Sequence, residues 1–419
     1  MLKRSFIRLT KPRLKNELLP DTQTEPQKIS TPKKVTLLLD NSFDQKEVFL
    51  LKEGDKVKTG RKLFLSKDSD TYVISTITGT VTSISPYTGD FGDTYTAISI
   101  VAGEEEEIDD EFEKYCKEPN LDVAKKFLAC VPGNPPINLF SDPDKRINTI
   151  VICGVDSDLL ITTRQYAVKS DTEAIKSGIH FLKKITGIDN IIMAAHRNQI
   201  QEYGDTDIEI KEVNSDYPST HPHLIMKDIL GQSVPEGRSC EDVGVCFFSA
   251  EAIAAIGNAF NNGKIPVTKN LTLIKKDGSK MMVSTRIGTP ISEIFDAFEV
   301  TLNEKDRIIA GGPMTGSAVF SEDYPIQPDT DAIIVQDKDS IKKVLDNPCI
   351  NCGECIRICP AKVPINMLVR FLQAGQYGTA AEQYDLFSCI ECGLCSFVCI
   401  SRIPIFQYIR LAKYELRSD

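Results

Sequence analysis

Apolar and polar positions change rhythm several times along this chain. From residue 34 to about 102, apolar residues come in short runs at 35–39, 48–51, 63–65, 72–75 and 80–84, broken by glycine-bearing turns. That pattern predicts short strands. Between 120 and 262 strand-like and helix-like runs alternate. A buried run at 148–153 is followed by a helix at 174–186 with Ile175, Ile179, Leu182 and Ile185 on one face, a strand at 190–194, and helices at 224–230 and 250–262. Strand–helix–strand order predicts a doubly wound α/β domain. From 264 to 320, strands at 271–275 and 281–285 flank Lys276-Asp-Gly-Ser279, a hairpin signal. A short helix at 291–298 then suggests a β-grasp. Near the end, Ile365, Leu368, Val369 and Leu372 keep helical spacing up to Gly375. The expected class is multidomain, α/β plus α+β.

Charge draws the boundaries. Residues 1–33 carry Lys3, Arg4, Arg8, Lys11 and Arg13 among prolines and read as a basic tail, with Leu2, Phe6, Ile7 and Leu9 hinting at an amphipathic start. Residues 104–119 open with an acidic run expected as a solvated linker, and 329–346 as an acidic connector. The domains expected between them are 34–103, 120–262, 263–328 and 347–419. The net charge of −10 argues against nucleic acid as a partner. No run approaches the roughly 18 apolar residues of a membrane span, and no apolar signal-peptide region is read near the start. A phosphate loop, a nucleophile elbow and a His-Glu-x-x-His pair are all missing. The four histidines show no convincing ligand spacing.

The cysteines change the picture most. Eight of thirteen fall in two copies of one spacing, Cys349, Cys352, Cys355, Cys359 and Cys389, Cys392, Cys395, Cys399. Three thiolates at three-residue intervals wrap three corners of an iron–sulfur cube. Structural zinc usually uses two separated pairs. Gly353 and Gly393 stand at matching turns, where a bare backbone can bend around sulfides. In two-cluster ferredoxins the fourth cysteine of each run ligates the other cluster. One [4Fe–4S] cluster is therefore expected on Cys349, Cys352, Cys355 and Cys399, the other on Cys389, Cys392, Cys395 and Cys359. Pro360 follows the first run, and Ile400 replaces the second proline. The helical insert between the runs makes this a helical dicluster ferredoxin domain. The free cysteines fit a reducing cytosol, and Cys153 is read as a buried, inert thiol.

Two phrases, Glu53-Gly-Asp-Lys-Val-Lys-Thr-Gly60 and Thr76-Ile-Thr-Gly-Thr-Val81, resemble the biotinyl/lipoyl barrel-sandwich fold. Lys67 lacks a carrier lysine's setting, so the module is read as structural. The order barrel-sandwich hybrid, α/β domain, β-grasp of the soluble-ligand-binding type, helical dicluster resembles the C subunit of the Rnf electron-transport complex. Besides the cysteines, Arg286-Ile-Gly-Thr-Pro-Ile-Ser-Glu293, Gly311-Gly-Pro-Met-Thr-Gly316 and Val234-Pro-Glu-Gly237 carry it. The α/β and β-grasp parts are also related to the NADH-binding flavoprotein subunit of respiratory complex I. The resemblance implies FMN and NADH chemistry, membrane-bound redox partners, and a peripheral position on the inner face of the cytoplasmic membrane. Three nucleotide-contacting stretches depart from the family pattern. The glycine loop has become Ala129-Cys-Val-Pro-Gly-Asn-Pro-Pro-Ile137, and three prolines there remove amide donors. The acidic element has become Cys153-Gly154-Val-Asp156-Ser-Asp158, leaving Gly154, Asp156 and Asp158 as a degenerate flavin or nucleotide site. The third reads Tyr217-Pro-Ser-Thr-His-Pro222. The expected function is an iron–sulfur electron-transfer subunit relaying electrons between protein partners, without its own NADH oxidation. The alternatives are an NADH- and FMN-dependent dehydrogenase module and a small-ligand-sensing scaffold.

Overall fold

The computed structural model describes residues 12–20, 25–40, 50–66, 71–89, 92–203, 208–341, 344 and 347–417. The amphipathic start, Lys67 and the first half of the run at 48–51 lie outside them. Lys34–Leu39, Thr94–Ala102, Gly79–Thr88 and Lys56–Val57 form one antiparallel sheet in that order, and Lys62–Leu63 pairs with Val73–Ile74. Val35, Leu37 and Leu39 face the core while Lys34, Thr36 and Leu38 turn away, the period of two that a half-buried strand requires. The strand Thr94–Ala102, unforeseen in the sequence, is a central strand of this sheet.

The acidic stretch at 104–119 is not a free linker. It contains the helix Glu111–Tyr115, whose Phe112 is 2% exposed and packs on Phe127 and Phe260. One aromatic pins the run down despite its charge.

Glu209–Glu212, Ile191–Ala195, Thr149–Cys153 and Val245–Ser249 make a parallel sheet in that order. Ile150 and Ile152 pack with Ile175, Ile179 and Ile253 on one face. Val151 and Cys153 pack with Ile225 and Met226 on the other. Burial on both faces explains why these strands read as continuous apolar runs. The helices Thr172–Thr186 and Ala250–Asn262 cross with backbones touching: a Cβ on Gly257 would lie 2.0 Å from the Ala174 carbonyl oxygen.

A six-stranded mixed sheet follows, in the order Gln27–Lys28, Lys280–Arg286, Thr268–Ile274, Ala332–Gln336, Arg307–Ala310, Ser317–Val319. The hairpin expected at 276–279 joins the second and third of these. The helix Ile291–Ala297 buries Ile291, Ile294 and Phe295 against Leu271, Leu273, Val283 and Ile333. Two expectations are corrected here. The connector at 329–346 holds the buried strand Ala332–Gln336, which its flanking aspartates concealed. The described part of the basic tail is docked, because Gln27–Lys28 adds a parallel strand to this sheet and residues 14–19 bond to the α/β unit. Lys269 joins the units. Its side chain is fully buried and meets Glu251 and Asp331, the latter at 2.9 Å. Burial works against its charge, but the two carboxylates outweigh that and hold its pKa above the ordinary lysine value.

Candidate iron–sulfur centres

The cysteine-rich end is a 40-residue repeat in backbone as well as in sequence. After its first cysteine each copy has a left-handed residue, Asn351 (φ 56°) or Glu391 (φ 56°), then a left-handed glycine, Gly353 (φ 73°) or Gly393 (φ 72°). The helices Glu354–Ile358 and Leu394–Val398 come next, then left-handed Lys362 or Arg402, then Pro364 or Pro404 capping the helices Ile365–Gln373 and Ile405–Glu415. A non-glycine residue in this region costs about 1–3 kcal/mol and persists only where its surroundings impose it. Successive amides in such turns form concavities that suit anions. Two amides do meet sulfur: Glu391 N–H donates to Cys389 Sγ and Ile403 N–H to Cys399 Sγ, each at 3.4 Å.

The fourth cysteine of the second run lies with the first three of the first run. Cys349, Cys352, Cys355 and Cys399 line one small cavity, closed by Ile350, Val369, Ile400 and Ile403. Cys359 instead lies near Cys389, Cys392 and Cys395. Burial pushes the Cys355 thiol up to about 11 and Cys392 up to about 12, and mutual repulsion adds to this. Thiols of this kind become thiolates when they ligate a metal. Among the described residues, no group of three or more His, Cys, Asp or Glu is placed to hold a single metal ion.

The two sets sit differently. Cys352 is exposed, beside Ile350 at 62% and Ile400 at 47% exposure. The second set is buried against the α/β unit, with Tyr217, Leu394 and Val398 around Cys392 and with Leu14, Leu159 and Met314 packed on them. The Tyr217 hydroxyl donates to the Cys392 carbonyl at 2.8 Å. Lys413 Nζ donates to the Cys389 carbonyl at 2.7 Å and pairs with Glu391 at 2.8 Å. Tyr217, Leu14, Leu159 and Met314 lie outside the residues assigned from sequence to the cluster end.

Gly154, Asp156 and Asp158 do gather at the carboxyl end of the Thr149–Cys153 strand, but protein groups occupy them. Gly154 N–H continues the sheet to the Ala194 carbonyl at 2.9 Å. Asp156 accepts from Arg164 N–H at 2.9 Å, Gln165 Nε2 at 2.9 Å and Thr163 Oγ1 at 3.2 Å. Asp158 accepts from Thr315 N–H at 2.8 Å, Thr315 Oγ1 at 2.7 Å and Met314 N–H at 3.2 Å. Burial still pushes both carboxyls upward, against those bonds. The N-terminal strap crosses the same strand ends, where Asn16 Nδ2 donates to the Asp156 carbonyl at 3.2 Å and to Thr220 Oγ1 at 3.1 Å. The proline loop is pressed on the first turn of the Ala250–Asn262 helix, so that a Cβ on Gly133 would lie 2.5 Å from Ala252 N. Cys153 is 4% exposed and burial pushes its thiol up to about 11, as fits an inert thiol.

Comparison with known proteins bears on all of these parts. Three family profiles match in order: "RnfC Barrel sandwich hybrid domain" over residues 15–105, "Nuo51 FMN-binding domain" over 137–258, and "4Fe-4S dicluster domain" over 348–403. The C subunit of the proton-translocating ferredoxin:NAD(+) oxidoreductase complex of Clostridium ljungdahlii is 28% identical over 291 residues, covering 67% of this chain and 64% of that one. Its counterpart in the Na(+)-translocating ferredoxin:NAD(+) oxidoreductase complex of Acetobacterium woodii is 25% identical over 346 residues, 76% of each. The C subunit of the ion-translocating oxidoreductase complex of Methanosarcina acetivorans is 23% identical over 371 residues, covering 80% of this chain and 82% of that one. These matches support an RnfC-family protein. Its barrel-sandwich hybrid, its α/β part related to the complex I flavoprotein and its iron–sulfur domain follow from the same matches. The barrel-sandwich match opens at residue 15, so it takes in the docked strap as well as the sheet. The FMN-binding match opens at 137, the last residue of the proline loop. An NAD+-reducing [NiFe]-hydrogenase chain aligns at TM-score 0.45 and 11% identity over 74% of this chain and 64% of that one, a likeness too weak to carry weight. No helix among the described residues is long and apolar enough to cross a membrane.

Proposed function

We propose that this RnfC-family chain is an electron-relay subunit of an Rnf-like complex, with two [4Fe–4S] clusters. Cys349, Cys352, Cys355 and Cys399 would hold one, and Cys389, Cys392, Cys395 and Cys359 the other. The observation that carries this reading is that Cys399, from the second run, lines one cavity with Cys349, Cys352 and Cys355 of the first. Bound there, such clusters supply one-electron carriage between protein partners. The chain's own residues shape the potentials, by donating amides to Cys389 and Cys399 and by excluding water from the second set. The partners are redox proteins, among them membrane-bound subunits, with this chain peripheral on the inner face of the cytoplasmic membrane. The same reading takes 34–103 as the barrel-sandwich hybrid, 120–262 as a doubly wound α/β domain, the mixed sheet as a β-grasp extended to 336, and 347–419 as the cluster domain.

The reading includes loss of flavin and NADH. The residues present do not fit a flavin. Asp156 and Asp158 are spent on protein donors, the strap crosses the strand ends, and Gly133 fills the helix N-terminus where a phosphate would bind. The match of 137–258 to an FMN-binding profile favours the rival reading, a dehydrogenase module. Anaerobic purification with iron, sulfide and flavin analysis separates them. About eight irons per chain with no flavin is the expected result. Stoichiometric FMN, or bleaching of cluster absorbance by NADH alone, would overturn it.

A further inference from the structure

Three attachments converge on the turn Cys392–Gly393. The Tyr217 hydroxyl donates to the Cys392 carbonyl at 2.8 Å. Gly393 abuts the Met314 carbonyl so closely that a Cβ would lie 2.6 Å from its oxygen, and the Met314–Thr315 turn is held by three hydrogen bonds to Asp158. The strap secures Tyr217 from behind: Tyr217 N–H donates to the Leu14 carbonyl at 2.8 Å, and Asn16 N–H to the Ser215 carbonyl at 2.7 Å. Forty residues earlier, the same backbone turn has none of this among the described residues. Cys352 is exposed, and a Cβ on Gly353 would meet nothing within 4 Å. The repeat is therefore its own control, with one turn clamped and one free.

We infer that Tyr217, Asp158 and the strap at residues 14–19 are positioning residues for the second cysteine set, which couple its geometry and potential to the α/β unit. This rests on the two-cluster reading above. The hydroxyl of Tyr217 directs the positive end of its dipole at the peptide carrying Cys392, which favours added negative charge there. Asp158 does the same work mechanically, since its carboxylate fixes the turn against which Gly393 is seated.

The test uses the full chain purified without oxygen, and electron paramagnetic resonance assigned by Cys352→Ser and Cys392→Ser. Tyr217→Phe removes one oxygen atom. It should keep the iron content, shift one signal and lower its midpoint potential, and leave the other signal unchanged. Hydrogen exchange supplies a readout independent of redox state: Tyr217→Phe and Asn16→Ala should speed exchange at 389–395 about fivefold to tenfold and leave 349–355 alone. Unchanged spectra together with unchanged exchange at 389–395 would overturn the inference. Equal changes in both sets would overturn it too, since the effect would then be global. Wild-type protein without iron sinks the relay reading instead, and the exchange comparison still decides the clamp.

Discussion

The two cysteine turns share a backbone and differ in everything around it. Position by position, Leu394 at 3% exposure stands where the first copy has Glu354, and Glu354 spends its charge on Arg357 near the surface. One turn is a wall of the α/β interface and the other is an outward corner beside Ile350 and Ile400. Ligand spacing is thus a property of the repeat, whereas solvent access and polarity belong to the fold around it. Two sites of one sequence pattern can then differ in potential and in accessibility to a partner.

The largest expected effect tests the exchange that makes the comparison meaningful. Cys359→Ala should abolish the signal assigned to the second set although it lies in the first run, and Cys399→Ala the reverse, each lowering iron from about eight to about four per chain. Loss of the signal from its own run would break the pairing. Next comes the platform under the second set. Lys269→Met leaves Glu251 buried without a cation and Asp331 with Arg164 alone, and should cost about 3–5 kcal/mol in denaturant unfolding while loosening 389–395 before 349–355. Third, Leu394→Ala should destabilise by about 2–5 kcal/mol, and its counterpart Glu354→Ala by less than about 1 kcal/mol. Equal losses would mean that the two turns are equally buried in solution. The smallest effect is expected at the open rim, where Ile350→Ser should change stability by no more than about 0.5 kcal/mol.

Local pattern explains what could be read in advance. The cysteine intervals, the hairpin around Asp277, and the helices with apolar stripes all write their geometry within a few residues of themselves. The sequence hid whatever depends on distant partners. Asp158 meets Thr315 across 157 residues, and Tyr217 meets Cys392 across 175, with no periodic mark at either end. Residues 14–19 looked like tail because their bonds run mainly through backbone amides and carbonyls, which any sequence possesses. Ala332–Gln336 was masked by the aspartates on either side, and Phe112 by the glutamates before it. The degenerate site was recognisable as altered, but not what had taken it over.

The crossed ligation proposed for the two clusters also has a consequence for biogenesis. A set that begins at Cys349 is not complete until Cys399 has been synthesised, and the set that begins at Cys389 draws on Cys359 from upstream. Neither cage can be filled stepwise as the polypeptide emerges. Iron and sulfide delivery must wait for both halves to meet, so a chain broken anywhere between Cys359 and Cys389 should mature neither centre unless its fragments reassociate.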